Sequence, residues 1–594
     1  EFRLPNELID DVVAKIRQLG GRFVTNFVVG KTATLEQLRD AGFARVFVGS
    51  GAGLPRFLNV PGEHLLNVMS ANEFLTRVNL MQAHKPERET PLPVVPGKQV
   101  LIIGGGNTAM DAARTARRLG GLVTIVYRRT RSEMPARVEE LEHALEEGIE
   151  LAVLRSPVEF GGDERGFVTS ATVEIMGLGE PDASGRRRPV ATGRTTEMPA
   201  DLVIMALGNS ANPIIKDSEP RLSVSPFGTI QQVADGSKET SLQGVYTGGD
   251  AARGGSTAIR AAGDGQSAAR EIVRTLGHLD AEEITARVAR ALAYTELAGE
   301  VPVIVAKQHL SVGIEEFTVR APVIARTAQA GQFVRVLPTQ NGELIPLTLA
   351  DWDAKAGTIT LVVQSMGTST ISLNQMREGQ SLAGVAGPLG RPSDVRRYPE
   401  DSTVVFTAGG LGLPPVYPIM REHLRLGNHV TLISGFRSAD LMFWDGPDER
   451  IGRIQAEFGD QLDVIYATND GSVGVQGFVT APLEEMLNAN QAGQGRRIAE
   501  VVTIGPPLMM RSVSDLTKPY GVPCVASLNS IMVDATGMCG ACMVPVVEDG
   551  KLIRKHACID GPEINSHSID WDKFLPRFGL FRAQEQESRA RHGF

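Results

Sequence analysis

The chain has 594 residues, of which 42% are hydrophobic and 22% are charged, with a formal net charge of −9. This length exceeds what one hydrophobic core supports, so three to five domains are expected. The acidic balance provides no general basic surface for nucleic acid. No apolar run approaches the roughly 18 residues of a membrane helix, and the four cysteines favour a cytoplasmic protein without a signal peptide.

A first nucleotide site is predicted at Gly104, Gly106 and Ala109, after a helix at 8–20 and a strand at 45–48 that runs into a glycine turn. The pattern Gly-x-Gly-x-x-Ala follows the apolar segment 100–103 and opens a helix to about residue 119. Gly104 allows the turn, Gly106 lets a pyrophosphate approach the helix N-terminus, and Ala109 permits close packing. Asn107 and Thr108 complete the predicted contact.

Two arginines, Arg128 and Arg129, follow the second strand of this domain at 123–127. An NAD site usually places an acid at this point, to hold the ribose 2′-hydroxyl. Two guanidinium groups instead suit a 2′-phosphate, which they can bind with charge-assisted hydrogen bonds. NADP(H) is therefore favoured, and a solvated basic turn is the alternative.

A flavin site is predicted where a strand ends at Gly249 and Asp250, followed by Thr257, Ala258 and a helix at 259–276. A carboxylate beside a helix N-terminus suits the hydroxyl groups and the electron-rich end of a flavin. The alternative is an ordinary junction with a capping aspartate. An amphipathic helix at 281–296 then links the two halves of the chain.

Short alternating strands at 303–306, 314–319, 333–337 and 359–363 predict a small β-barrel. A second dinucleotide domain follows, with strands at 403–406, 430–434 and 501–504. The alternative is an α/β domain that binds no nucleotide. Its predicted nucleotide contacts are Gly409, Gly410, Gly412, Gly505 and Met509.

A metal site is predicted from Asp534, Cys539, Cys542 and Cys558, with spacings of four, two and fifteen residues. Plant-type [2Fe–2S] centres use C-x4-C-x2-C and a distant fourth cysteine. Aspartate stands here in place of the first cysteine, and a carboxylate is also an anionic ligand. A mixed zinc site and three unrelated buried cysteines are the alternatives. The nucleotide motifs upstream favour the iron–sulfur interpretation.

Two known families resemble the two halves. Residues 1–275 resemble the flavoprotein subunit of glutamate synthase and the large subunit of NADH-dependent ferredoxin:NADP oxidoreductase. Residues 301–572 resemble the small subunit of that transhydrogenase and the electron-transfer subunit of dihydroorotate dehydrogenase. The matching stretches are 1–5, GSGAGLPRFLNVP (49–61), GGGNTAMD (104–111), YRRTRSEMP (127–135), 248–250, IPLTLADWD (345–353), GPLGRPS (387–393), AGGLGLPPVYPI (408–419) and MVDATGMCGAC (532–542).

The resemblance implies a multidomain α/β plus β-barrel protein. A glutathione-reductase-like flavoprotein with two dinucleotide-binding domains precedes a ferredoxin-reductase-like β-barrel, a nucleotide domain and a small [2Fe–2S] domain. The expected boundaries are 1–97 with 212–275 (FAD), 98–211 (NADP(H)), 276–300 (helical linker), 301–396 (FAD-binding barrel), 397–522 (NAD(H)), 523–572 ([2Fe–2S]) and 573–594 (tail).

The resemblance also implies the cofactors. One FAD would bind the barrel and a second FAD the first half, with NADP(H), NAD(H) and a [2Fe–2S] cluster on Asp534, Cys539, Cys542 and Cys558. In the family, the second flavin bifurcates electrons toward ferredoxin. The barrel flavin would contact Pro346, Leu347, Thr348, Gly367, Thr368, Ser369 and Thr370.

Two departures from the family are evident. Leu344 stands where an arginine usually binds the FAD phosphate. The family's N-terminal [4Fe–4S] segment and FAD-binding Gly-x-Gly-x-x-Gly are also absent, and Cys524 alone cannot bind such a cluster. We therefore expect a partner or a missing segment to deliver electrons to ferredoxin.

The favoured function is an oxidoreductase that moves electrons between NAD(H), NADP(H) and a low-potential carrier such as ferredoxin. No residue is assigned to acid–base catalysis, because hydride transfer depends on positioning nicotinamide over flavin. The alternative is an electron input or output module for a larger complex whose partner carries [4Fe–4S] clusters. A third hypothesis is a scaffold subunit that has lost one flavin.

Overall fold

The computed structural model describes residues 4–88, 90–181, 185–277 and 279–593. The first three residues of the matched stretch 1–5, one residue of the expected linker and the last residue of the tail lie outside these ranges. Within the described residues, no helix is both long and apolar enough to cross a bilayer.

The first unit is a parallel pair of strands, Val46–Val48 and Val245–Thr247. Both strands end in glycine turns at the same edge, because parallel strands share their direction. This unit also contains three helices, Asn6–Gln18, Leu35–Asp40 and Ala258–Leu276. The predicted glycine turns at 49–53 and 248–249 are therefore neighbours.

A five-stranded parallel sheet forms the second unit. Its buried strands alternate between two cores: Val100 and Ile102 pack on helix Asn107–Arg118, whereas Leu101 and Ile103 face an antiparallel sheet. This two-sided burial explains the continuous apolar run of the sequence. The strand order is Val68–Ser70, Leu202–Met205, Gln99–Ile103, Leu122–Tyr127 and Glu150–Val153.

The covering antiparallel sheet was not predicted from the sequence. It contains strands Arg155–Gly162, Val168–Pro181 and Arg187–Pro199. Helix Val138–Glu146 lies on the opposite side, in the core shared with the Asn107–Arg118 helix. Strand Val68–Ser70 also joins the parallel sheet, although the expected boundary at residue 97 assigns it to the preceding domain.

The region of the predicted barrel consists of two antiparallel sheets around one core. This region also contains two helices, Pro322–Thr327 and Thr368–Asn374. Helix Ala281–Ala298 precedes the sheets in the chain. The four-stranded sheet has the order Val303–Ser311, Ile314–Arg320, Thr358–Gln364 and Asp351–Asp353, and the three-stranded sheet has the order Ile345–Thr348, Phe333–Leu337 and Gly384–Leu389.

A seven-stranded sheet forms the second nucleotide unit, and its first six strands are parallel. Its last two strands come from the expected iron–sulfur segment. The order is Val475–Gln476, Leu462–Thr468, His429–Phe436, Ser402–Gly409, Arg497–Ile504, Cys524–Ser527 and Glu563–Asn565. Its main helices are Leu413–Arg425, Arg450–Phe458, Thr480–Gln491 and Pro507–Thr517.

The iron–sulfur segment adds a hairpin of strands Met543–Glu548 and Lys551–His556. The chain then returns to the N-terminal half through helices Trp571–Phe574 and Arg582–Arg591. The guanidinium of Arg77 lies 4.5 Å from the ring centroid of Phe581. The C-terminal segment thus packs on the first half of the chain.

Candidate functional site

In the predicted nucleotide turn at Gly104 and Gly106, one glycine is in close contact with backbone and the other faces open space. Gly104 has φ +143°, and a Cβ there would lie 2.2 Å from the carbonyl oxygen of Ala206. A Cβ on Gly106 would meet only Pro135, at 4.0 Å. Ala109 is fully buried in the first turn of the helix, so it allows close packing. Gly104 therefore serves the turn, and Gly106 leaves room for a phosphate at the helix N-terminus.

The other two residues predicted in this turn lie at the start of the helix. Asn107 is exposed, and its Oδ1 accepts a hydrogen bond from the amide of Arg137 at 3.2 Å. Thr108 is half-buried. Both residues therefore border the open space in front of Gly106.

The two predicted phosphate-binding arginines lie in different environments. Arg128 is exposed, whereas Arg129 is buried and its Nε donates to the carbonyl of Arg187 at 2.7 Å. A cleft of about 530 Å³ lies beside them, lined by residues that include Arg131 and Ser132. Arg128 is thus the better placed of the pair for a 2′-phosphate, because Arg129 is held by the antiparallel sheet.

At the predicted flavin turn of the first half, Gly249 has φ +62° and Asp250 begins a short helix, Asp250–Arg253. The buried acid here is Asp264, which sequence reasoning missed. Its carboxylate accepts from the amide of Gly249 at 3.0 Å and from Arg253 and Lys238 at 2.8 Å each. Burial acts to raise the pKa of Asp264, but these hydrogen bonds outweigh it and hold the pKa well below its usual range.

Thr257 and Ala258 begin helix Ala258–Leu276, close to the same turn. Thr257 is half-buried and Ala258 is exposed, so the start of this helix is open to a ligand. A Cβ on Gly249 would lie 3.3 Å from the Cβ of Ala261 in that helix. The predicted residues of the first flavin site are therefore neighbours.

In the predicted barrel-flavin site, Pro346, Leu347 and Thr348 are half-buried in a strand paired with Phe333–Leu337. Arg335 lies opposite Pro346, and its Nη1 donates to the carbonyl of Asp534 at 2.7 Å. Its Nε is buried and has no hydrogen-bond partner among the residues that the structure describes. The signal for Arg335 was present in the sequence, since it is the one charge in an apolar strand, FVRVL.

The predicted flavin contacts at 367–370 form the start of helix Thr368–Asn374. Oγ1 of Thr370 accepts from the amide of Gly367 at 3.0 Å, and the Ser369 hydroxyl is buried, with no hydrogen-bond partner in the described part of the chain. Thr368 contacts Ser588 of the C-terminal helix, with their hydroxyl oxygens 2.7 Å apart. The tail thus reaches the start of the helix where a flavin phosphate is expected.

The residues predicted for the second nucleotide site converge. A Cβ on Gly412 would lie 1.9 Å from the carbonyl of Ile504, and one on Gly409 would lie 2.5 Å from Sδ of Met509. A Cβ on Gly505 would lie 2.8 Å from Cε of Met509. Gly410 has φ +52° and open space before it. The turn therefore forms at the carboxyl ends of two neighbouring strands, where nucleotides bind such sheets.

The predicted metal loop, residues 534–542, wraps its amides around Asp534. The carboxylate accepts from the amides of Thr536 at 3.0 Å, Cys539 at 3.1 Å and Met538 at 3.2 Å. The hydroxyl of Thr536 also donates to it. The aspartate thus occupies the centre of the loop.

The three predicted thiol ligands are all 2% exposed, and the Sγ atoms of Cys542 and Cys558 lie 3.2 Å apart. The amide of Ala541 donates to Sγ of Cys539 at 3.4 Å, and that of Cys558 to Sγ of Cys542 at 3.5 Å. Burial raises the pKa of the Cys539 thiol, and the hydrogen bond with Cys542 together with burial raises that of Cys558. A cation would reverse this, because metal binding deprotonates a thiol.

No group of three or more His, Cys, Asp or Glu side chains in the described ranges is already arranged to hold a metal ion. The donor set nevertheless fits an iron–sulfur cluster, since three buried thiols and a carboxylate belong to one region with amides directed at them. Cys524 lies apart in strand Cys524–Ser527, and burial raises its pKa to about 11.

The metal loop lies against the first half of the chain. A Cβ on Gly53 would be 2.8 Å from Cε of Met538, and one on Gly540 would be 2.9 Å from Pro55. Gly53 belongs to the turn at the end of strand Val46–Val48. The predicted metal loop is therefore in contact with the glycine turn 49–53, whose strand pairs with the strand that leads to the predicted flavin turn at Gly249.

Comparisons with known proteins match both halves. Residues 3–265 match the pyridine nucleotide-disulphide oxidoreductase family, and residues 529–570 match the iron-sulfur cluster binding domain of dihydroorotate dehydrogenase B. The dihydroorotate dehydrogenase B (NAD(+)) electron transfer subunit homolog of Thermotoga maritima is 35% identical over 48% of this chain and 94% of its own length.

A putative glutamate synthase [NADPH] small chain of Cereibacter sphaeroides is 38% identical over 46% of this chain, which spans 65% of that relative's length. The solved structure of an NADH-dependent reduced ferredoxin-NADP oxidoreductase is 33% identical over 50% of this chain and 99% of its own, with a TM-score of 0.44. The two family matches and the two curated relatives confirm both resemblances and favour iron–sulfur over zinc.

The family assignment accounts for the cofactor classes, which are FAD, NAD(P)H and an iron–sulfur cluster. Residues 3–265 are similar to the pyridine nucleotide-disulphide oxidoreductase family. The chain belongs to the family of the dihydroorotate dehydrogenase B electron transfer subunit and its homologs, and is an NAD(P)H-dependent flavin and iron–sulfur oxidoreductase.

Proposed function

We propose that this enzyme moves electrons between NAD(H), NADP(H) and a low-potential carrier such as ferredoxin. The observation that carries the proposal is the position of the metal loop. Met538 contacts the glycine turn of the first half at Gly53, and Arg335 of the barrel bonds the carbonyl of Asp534. One loop thus contacts the turn 49–53, which lies beside the predicted flavin turn at Gly249, and Arg335, which lies opposite the predicted flavin contact Pro346.

The proposal assigns each group to residues of this chain. A [2Fe–2S] cluster would be held by Asp534, Cys539, Cys542 and Cys558, NADP(H) by the turn at Gly104 with Arg128, and NAD(H) by the turn at Gly410. One FAD would lie at the barrel strand Ile345–Thr348 and the helix start at 367–370, and a second at the turns 49–53 and 248–250. Flavin supplies the exchange between hydride and single electrons, and the cluster supplies one-electron transfer.

The residues of this chain would position the nucleotides and exclude water from the thiols. Gly106 and Gly410 leave room for phosphates beside backbone amides, and the exposed Arg128 adds a fork of donors for a 2′-phosphate. Burial of the three thiols keeps water from the metal loop. Proximity and electrostatics account for the chemistry, so no general acid or base is assigned.

The test is cofactor analysis of the purified chain, with EPR after addition of NADH or of NADPH. We expect two flavins and two irons per chain and a reduced cluster signal from either nucleotide. Reduction by only one nucleotide would show that the halves are not connected. Absence of any cluster signal after chemical reduction would overturn the proposal.

An exposed apolar helix face favours a second candidate, a module of a larger complex. Leu8 and Val12 of helix Asn6–Gln18 are 55% and 54% exposed, and exposed apolar patches often mark interaction sites. In this case the cluster would exchange electrons with a partner that carries [4Fe–4S] clusters. Purification from the native host, followed by iron counting, distinguishes the two, because only the complex contains more than two irons per chain.

A further inference from the structure

The backbone of the metal loop is divided between two sets of partners. Its amides are directed at the predicted ligands, as described above for Asp534 and Cys539. Five of its carbonyls accept hydrogen bonds from side chains outside the loop. The five pairs are Arg335 with Asp534 (2.7 Å), Asn212 with Thr536 (2.6 Å), Asn72 with Met538 (2.9 Å), Ser70 with Cys539, and Arg577 with Ala541 (3.3 Å).

Three of these five donors, Ser70, Asn72 and Asn212, belong to the N-terminal half, more than 300 residues away in sequence. Asn72 also donates to the carbonyl of Gly53 at 2.6 Å, so one amide group joins the glycine turn to the metal loop. The two halves are therefore connected through the peptide groups that surround the predicted ligands.

A peptide whose carbonyl is hydrogen-bonded is fixed in orientation, and its N–H becomes a stronger donor because hydrogen bonds polarise one another. Hydrogen bonds to the ligand sulfurs and the burial of the site set the potential of an iron–sulfur cluster. Donors stabilise the reduced cluster, which carries one more negative charge. Asn72 meets this condition, because the carbonyl of Met538 that it binds and the N–H of Cys539 belong to one peptide group, and that N–H donates to the Asp534 carboxylate at 3.1 Å.

We propose that Asn72 is a positioning residue through which the N-terminal half raises the reduction potential of the iron–sulfur cluster. This inference rests on the proposed cluster at Asp534, Cys539, Cys542 and Cys558. Asn212 binds the carbonyl of Thr536, and the N–H of that peptide belongs to Gly537, which is not among the amides that donate to a predicted ligand. Asn212 is therefore a matched control that binds the same loop.

The test is an EPR-monitored redox titration of the intact chain carrying Asn72→Ala or, as the matched control, Asn212→Ala. A second control is Asn488→Ala, at an exposed asparagine of helix Thr480–Gln491 whose Oδ1 accepts from the hydroxyl of Tyr520 at 2.8 Å. Iron content is measured for every variant. We expect full iron content in all three, with altered g-values and a lower midpoint potential in Asn72→Ala alone, by about a tenfold change in the one-electron equilibrium, which is about 59 mV.

If Asn72→Ala has full iron content and the same midpoint potential and g-values as Asn212→Ala and Asn488→Ala, the inference is overturned and the cluster assignment stays intact. Loss of iron in Asn72→Ala would also overturn it, since this asparagine would then be needed for assembly rather than for tuning. Absence of the cluster from the unmodified chain would instead overturn the proposed function.

Discussion

The guanidinium carbon of Arg554 lies 3.5 Å from the ring centroid of Phe57, across the boundary between the two halves. The Nη2 atom of Arg554 also donates to the carbonyl of Glu63 at 2.9 Å. Burial lowers the pKa of Arg554 to about 10, so the side chain remains charged at neutral pH. The charged side chain of Arg554 thus binds the hairpin that follows the metal loop to the first half of the chain.

Replacing Arg554 with methionine should loosen this contact. Loss of the cation–π interaction and of the hydrogen bond should cost about 1–3 kcal/mol. We expect faster amide hydrogen exchange in residues 54–63 and a lower apparent Tm. Lys551→Met, an exposed change in the same hairpin, is the control and should alter neither quantity. Equal effects of both variants would contradict the assignment.

Substitution of a predicted ligand cysteine and of Cys524 should have different effects on iron content. Cys542→Ala should lose most of the iron, and Cys524→Ala should retain it, because Cys524 is buried in a hydrophobic core away from the loop. Iron and sulfide analysis of both purified variants checks this. If Cys524→Ala lost iron to the same extent, the assignment of the four ligands would be wrong.

Asp534 has a second function, since its carboxylate accepts three loop amides. Asp534→Ala should leave these donors without an acceptor, at about 1–3 kcal/mol for each buried group, and should yield a chain without cluster. Asp534→Cys should retain iron with a different EPR spectrum, because a thiolate replaces the carboxylate. A wild-type spectrum in Asp534→Cys would exclude this residue as a ligand.

Arg128 and Arg129 should behave differently. Arg128→Ala should raise the KM for NADPH about ten- to hundredfold, since hydrogen bonds to charged groups contribute about 1.5–3 kcal/mol, while NADH-dependent activity is unchanged. Arg129→Ala should lower the Tm instead, because its Nε binds the carbonyl of Arg187. Steady-state kinetics with both nucleotides checks this, with exposed Arg194→Ala as the control. An unchanged KM in Arg128→Ala would remove the 2′-phosphate assignment.

Glu563 should make stability depend on pH. Its carboxyl is hydrogen-bonded by the Ser393 hydroxyl at 2.5 Å, and burial raises its pKa from 4.5 to about 7. The folded chain therefore holds a proton that the unfolded chain releases, so stability decreases as pH rises from about 4.5 to about 7.

Glu563→Gln should remove this dependence. The difference in free energy of unfolding between the variant and the wild type should therefore shift in favour of the variant by on the order of 2–3 kcal/mol between pH 4 and pH 8. Thermal unfolding of both proteins at a series of pH values measures the difference. Glu587→Gln, at an exposed position of the C-terminal helix, is the control. Parallel pH profiles for the wild type and Glu563→Gln would contradict the raised pKa.

Local signals predicted much of the architecture. The glycine turns at Gly104 and Gly412 were found because a strand, a small-residue turn and a helix follow one another in sequence. The cysteine spacing identified the metal loop for the same reason. The antiparallel sheet 155–199 was missed, since its strands are largely exposed on one face and carry little apolar alternation.

The contacts between distant segments had no sequence signal. Nothing near Arg129 indicated that the carbonyl of Arg187 would hold it. Asp264 lies within a helix and becomes a buried acid only when Lys238 and Arg253 surround it. Asn72 and Asn212 are ordinary polar residues until the metal loop lies beside them. Such pairs depend on the packed fold rather than on spacing.

The edge of the seven-stranded sheet has a consequence for how the chain is made. Strand Arg497–Ile504 pairs with Cys524–Ser527, which in turn pairs with Glu563–Asn565. The metal loop lies between these last two strands in sequence. On the ribosome the loop therefore stays open until residue 565 has emerged, whereas the preceding domains can already fold. Cluster insertion should follow the folding of both nucleotide domains, so the cofactor would reach only chains whose nucleotide domains are already formed.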